Sequence, residues 1–157
     1  MVIHQRTNWR TVITSGTVAG VVAGIIMEMY GWLTIVVPQH ASLVTTWQWI
    51  ASTVIGNVAF TTSAFAMLGL AAHFIVSIAW ASGYAYLASR QAFMNRRWVI
   101  SGLVYGLVVY LFMQLILLGD GNLKPPATPN DFINALILHM VFFGLPLAFV
   151  VARLTRS

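Results

Sequence analysis

Cysteine is absent from this sequence and charge is scarce, with three acidic and eight basic residues bringing the charged fraction to 7%, against roughly 25% in an ordinary soluble domain. The first absence excludes disulfides, thiolate metal sites and iron–sulfur clusters built by this chain alone. The second excludes water as its main solvent. Hydrophobic residues make up 59% of the chain and gather into four long runs. A hydrocarbon core about 30 Å thick takes about 20 mostly apolar residues per helical crossing, so 157 residues hold four crossings and leave no room for a soluble domain.

A net charge of +5 and a pI near 10.3 raise the question of nucleic acid, but the placement of the basic residues points to a bilayer instead. Arg6 and Arg10 precede the first run, Arg90, Arg96 and Arg97 separate the second from the third, and Arg153 and Arg156 follow the fourth. The opposite side carries only Lys124, with Asp120 and Asp131. Seven of eight basic residues thus share one side, which the positive-inside rule assigns to the cytoplasm. The expectation is a multi-pass protein of a bacterial or archaeal inner membrane with both termini cytoplasmic. The first run is too long for a signal-peptide core and no small-residue cleavage site follows it, so it is read as a retained helix.

The pattern predicts an all-α integral membrane protein, one domain forming a four-helix up-down-up-down bundle, with helices over residues 11–37, 62–89, 98–118 and 131–153. Pro38 ends the first, because a residue preceding proline is pushed out of helical geometry. Residues 41–57 lack Asp, Glu, Lys and Arg but hold Trp47, Trp49 and Ile50, which predicts a short interfacial helix on the outer surface with its tryptophans at headgroup level. Turn formers crowd residues 119–129, and Asn130 or Asp131 is expected to cap the fourth helix. Pro146 removes the partner of the Phe142 carbonyl and predicts a kink.

The two halves resemble each other. Gly16, Gly20, Met27 and Glu28 correspond to Gly102, Gly106, Met113 and Gln114 at a constant spacing of 86 residues, and His73 and Arg90 to His139 and Arg156 at 66. Each half is a helical hairpin starting from the same side, so the repeats have the same orientation and are related by an axis along the membrane normal.

Away from the ends of the predicted helices Glu28 is the only formally charged side chain, and His73 and His139 are the only histidines. An ionisable group in the bilayer core is a functional candidate by default. Glu28 lies 18 residues from Arg10, Gln114 17 from Arg97, His73 17 from Arg90, and His139 14 from Arg153; at about 1.5 Å per residue these four form one polar layer. Gly16, Gly20 and Gly24 share a side of the first helix with Glu28, and Gly102 and Gly106 share a side of the third with Tyr110 and Gln114. Such glycines either let helices approach closely or make room for a flat cofactor. The histidines either hydrogen-bond within the bundle or, coming from diagonal helices, supply the two axial ligands of a b-type haem, with Gly20, Gly24 and Gly106 opening space around it.

On His73, His139, Gly16, Gly20, Gly24, Gly102 and Gly106 the chain resembles the four-helix core of the cytochrome b family. The resemblance implies haem b held by His73 and His139, and electron transfer. It departs in having one histidine per ligand helix, so one haem at most, and in lacking a quinone-site motif. The whole pattern also resembles a group of small four-helix bacterial membrane proteins with glycine-rich first and third helices, which implies a fold and no activity. Three other readings stand beside haem: an accessory or scaffold subunit binding other membrane subunits or a second copy, a bare transition metal on Glu28, His73, His139 and Gln114, and a proton or small-solute pathway through the polar layer. No catalytic residue is assigned, and the chain is read as not an enzyme on its own. Tyr30, Tyr84, Tyr105, Tyr110 and the seven methionines are read as packing, interfacial or lipid-facing, and His4 and His40 as solvated.

The charge asymmetry carries a direct test. Reporters fused after Ser157 or inserted near Gln91 should read as cytoplasmic, and one inserted near Pro126 as external; an external C-terminus would overturn either the helix count or the orientation.

Overall fold

The computed structural model describes residues 8–38, 40–119 and 128–155, and every regular element among them is helical. Helix α1 (Trp9–Gly31) continues into a π-helical stretch, Trp32–Val36; α2 (Leu43–Ile55) is followed by a 3-10 turn, Gly56–Phe60; then come α3 (Phe65–Arg90), the short α4 (Ala92–Arg96) and α5 (Trp98–Gly119). The last rod is built from α6 (Pro129–Ile137), a π-helical segment (Leu138–Gly144) and α7 (Leu145–Leu154). Four rods are long and apolar enough to cross a membrane, as in a multi-pass membrane protein. Their outward faces carry exposed Ile13, Ile75, Val104 and Leu115, an apolar surface that suits lipid and not water.

Two local expectations are revised. The fourth rod is capped by Thr128, not by Asn130 or Asp131: its side chain accepts from the Asp131 backbone N–H while Asp131 reaches back to the Thr128 N–H at 2.9 Å, a reciprocal capping box. At Pro146 the predicted kink takes the form of the π segment just before it. Proline lacks an N–H and its ring crowds the carbonyl four residues back; a π-helical register, with its longer hydrogen-bond step, takes up that mismatch. Arg6, Lys124, Asp120, Arg156 and most of the loop between α5 and α6 lie outside the described residues.

The bundle is held by contacts closer than ordinary side chains allow. A Cβ on Gly16 would fall 2.6 Å from Ser82 Cα, and one on Gly20 2.5 Å from Ile78 Cα, so α1 rests directly on the backbone of α3. In the second hairpin a Cβ on Gly102 would fall 2.9 Å from Ala148 Cβ, and one on Gly106 2.7 Å from Met140 Cα. Gly16 against Ser82 and Gly102 against Ala148 are the same contact in the two repeats, displaced by 86 and 66 residues. The rod α6–α7 also packs on α1, and Ala19, Ala23, Ala81, Tyr84, Leu147 and Val151 form a centre with no exposed surface. The seam between α3 and α5 is filled by rings: Trp80 meets Tyr105 and Phe112 edge-on, and the Tyr105 hydroxyl donates to the Trp80 carbonyl at 2.7 Å. At one end of the bundle Arg90 lies over Tyr86 and Arg153 over Phe149, at 5.4 and 5.0 Å.

Helix α2 packs along the N-terminal part of α3. Its Trp47 carbonyl presses on Gly69, the Gln48 side chain donates to the Thr62 carbonyl at 2.9 Å, and Gln48, Ala51 and Ser52 are buried. It is therefore a wall of the bundle in its own right.

Glycine-to-alanine substitutions separate contact from open space. Gly20→Ala and Gly106→Ala should each destabilise the protein by about 1–3 kcal/mol through overpacking. Gly31→Ala, where a Cβ meets nothing within 4 Å, should be neutral or stabilising by up to about 1 kcal/mol. Thermal unfolding in detergent measures all three, and equal tolerance would mean that the hairpins do not close on their glycines.

Candidate functional site

His73 sits one turn beyond Gly69 on α3, where the missing side chain lets α2 approach and brings the Trp47 ring to the imidazole edge, 5.9 Å between centroids. Its ring points at α1. Nε2 lies 3.4 Å from the Gly24 carbonyl, and Nδ1 lies 3.4 Å from Glu28 Oε1. Because a carbonyl can only accept, Nε2 is the protonated nitrogen, and Nδ1 is left to share a proton with the carboxyl group. Gly24 makes this approach possible, since a Cβ there would come within 3.2 Å of Ser77 Oγ and 3.1 Å of the Phe74 ring. The His73 side chain is 11% exposed and that of Glu28 29%, so the carboxyl group is the more open member of the pair.

His139 lies in the π segment. Its Nδ1 donates to the Ala135 carbonyl at 2.8 Å, four residues back, which fixes the tautomer and leaves Nε2 without a proton. The Tyr110 ring packs edge-on against it, 5.3 Å between centroids. Gly106 rests on the His139 backbone carbonyl and on Met140, so the fourth rod is pinned where it presents this histidine.

Glu28, His73 and His139 line one cavity of about 340 Å³. Its wall is otherwise largely apolar and aromatic, from Met27 and Trp32 of the first rod, Val76 and Trp80 of α3, Met113 of α5, Phe143 of the π segment and Ile50 of α2. Thr46 and Thr53 also face it, but their hydroxyls donate back to the Ser42 and Ile50 carbonyls of their own helix. Leu43, Val54 and Val76 are exposed at its rim.

Of the predicted polar layer, three members line this cavity and Gln114 does not; its neighbour Met113 takes that place. Gly20, Gly24 and Gly106 are spent on helix contacts and line no part of the cavity. They position the histidines. The donor set meets the geometry of a bis-histidine haem on one side only, at His139, because both His73 nitrogens face groups of α1. Among the described residues no group of three or more His, Asp or Glu is arranged to hold a metal ion. Tyr84, Tyr105 and Tyr110 are buried packing residues.

Comparisons with protein-family models, with curated proteins and with solved structures returned no match.

The lack of native cysteine makes the cavity easy to probe. Thr53→Cys, half-buried on the cavity wall, should react with a small membrane-permeant thiol reagent. Ala81→Cys, at a fully buried position of α3, should not. Similar labelling rates would mean that the cavity is closed or that the interior is open generally.

Proposed function

We propose that this chain is a membrane-embedded binding protein for a small amphipathic molecule, with its polar head at Glu28, His73 and His139 and its body against the apolar wall. One observation carries the reading: ionisable side chains from three separate rods converge on a single cavity of about 340 Å³ with an otherwise largely apolar lining, the size and make-up of a small-molecule site. Burying three such groups without a task is costly in a bilayer. The rim of exposed Leu43, Val54 and Val76 supports entry from the α2 side. A passage for the bound solute is a natural extension of the same reading, and so is placement in an inner membrane with both termini cytoplasmic.

A second reading keeps haem b and the resemblance to the cytochrome b core. The unprotonated Nε2 of His139, oriented by its Nδ1 bond, favours it. His73 would have to release one of its two contacts, Glu28 or Gly24, to serve as the opposite ligand, and the contact it keeps would orient its ring.

One preparation separates these readings. Protein purified in mild detergent should carry a non-covalent small-molecule adduct in native mass spectrometry, lost in Ala72→Phe, which fills the lined cavity. A Soret band with reduced α and β bands would identify the adduct as haem. No adduct and no spectrum, in protein that is folded, would leave an accessory subunit as the better reading.

A further inference from the structure

We infer that the cavity selects a lipophilic cation, an organic amine or onium ion with aromatic or aliphatic substituents. The inference rests on the binding-protein reading above and adds to it the charge of the ligand.

Charge complementarity carries the argument. Among the described residues Glu28 is the only Asp, Glu, Lys or Arg lining the cavity, and the other titratable groups facing it are two imidazoles, His73 from α3 and His139 from the π segment; α2 and α5 contribute none. The basic residues described lie at the opposite end of the bundle, as Arg90 and Arg153 do. An anionic headgroup would therefore enter an apolar space holding a carboxyl group and, among the described residues, no Lys or Arg to receive it, which is strongly unfavourable at low dielectric. A cation meets the reverse situation. The Glu28 side chain is more exposed than its His73 partner, and Trp32 and Trp80 add two indole rings to the wall, the ring type that attracts organic cations best. Met27 and Met113 supply adaptable apolar contact on either side. His139 Nε2, left without a proton by the Nδ1 bond, is able to accept from an N–H donor on an amine and offers nothing to a carboxylate.

Three probes of one shape and different charge test this on the full chain in detergent or nanodiscs: tetraphenylphosphonium, tetraphenylsilane and tetraphenylborate. Trp32 and Trp80 serve as fluorescence reporters. Saturable binding is expected for the cation, weaker binding for the neutral probe and none for the anion. Glu28→Gln should weaken the cation by about 10- to 100-fold, the worth of a charged partner at a buried contact, and should leave the neutral probe unchanged. Equal binding of all three by wild-type protein, with loss of all three in Ala72→Phe, would overturn charge selection while leaving the cavity as a binding site. Cation binding that persists in Ala72→Phe, or absence of binding by any probe, would overturn both. Should Glu28→Gln fail to fold, the comparison of the three probes on wild-type protein still decides.

Discussion

Two apolar helices in a bilayer gain little by leaving lipid for each other, because lipid tails are as apolar as leucine; what holds them is close van der Waals contact and the hydrogen bonds it permits. Here that contact is made at glycine. Gly16 and Gly20 seat α1 on the α3 backbone, and Gly102 and Gly106 seat α5 on the π segment and α7. Everything polar in the bundle follows from these two closures. The Gly24 carbonyl reaches the His73 imidazole only because α1 and α3 are this close, and Gly106 fixes the rod that carries His139.

The two hairpins share this scheme and then diverge, and the divergence makes the cavity. In the first, α2 presses onto Gly69 through the Trp47 carbonyl and brings an additional wall up to His73. In the second the connection is shorter, and Pro146 imposes the π segment in which His139 sits. A symmetric duplication would place equivalent polar groups around a central axis. The observed asymmetry instead gives Glu28 a neighbour in His73, leaves its counterpart Gln114 outside the lining, and puts Met113 in its place.

The fold class was legible because membrane crossing is set by run length: four apolar stretches separated by arginines or turn formers admit few other arrangements. The convergence of Glu28, His73 and His139 was legible from depth counting, since α-helical rise is nearly constant. Other features lay beyond periodicity. Helix α2 carries no charged residue to announce which neighbour it chooses, and its closest contact with α3 is made by a backbone carbonyl, which every residue possesses. Proline at 146 signalled a disturbance but not its form, because a kink and a π segment relieve the same clash. The cap at Thr128 was readable as Thr-x-x-Asp, a pattern obscured by two other competent capping residues within three positions. The glycines carried two meanings, helix contact and cofactor space, and only the identity of what faces them separates those.

The electrostatics of Glu28 are decided locally. It stands 18 residues from Arg10 along α1, about 27 Å at helical rise. Over that distance two unit charges interact by only about 0.6 kcal/mol at an effective dielectric near 20. Removing a carboxylate from water costs several kcal/mol, so an arginine at that distance contributes almost nothing to stabilising a charge at this position. The group in place to do so is the His73 ring at 3.4 Å, joined by the head of any molecule that enters the cavity. The state of the carboxyl group and the occupancy of the cavity are therefore coupled. A positively charged occupant stabilises the carboxylate, a neutral one favours a proton held between Glu28 and His73, and the same close approach at Gly24 that brings the imidazole to α1 makes that pair sensitive to the difference.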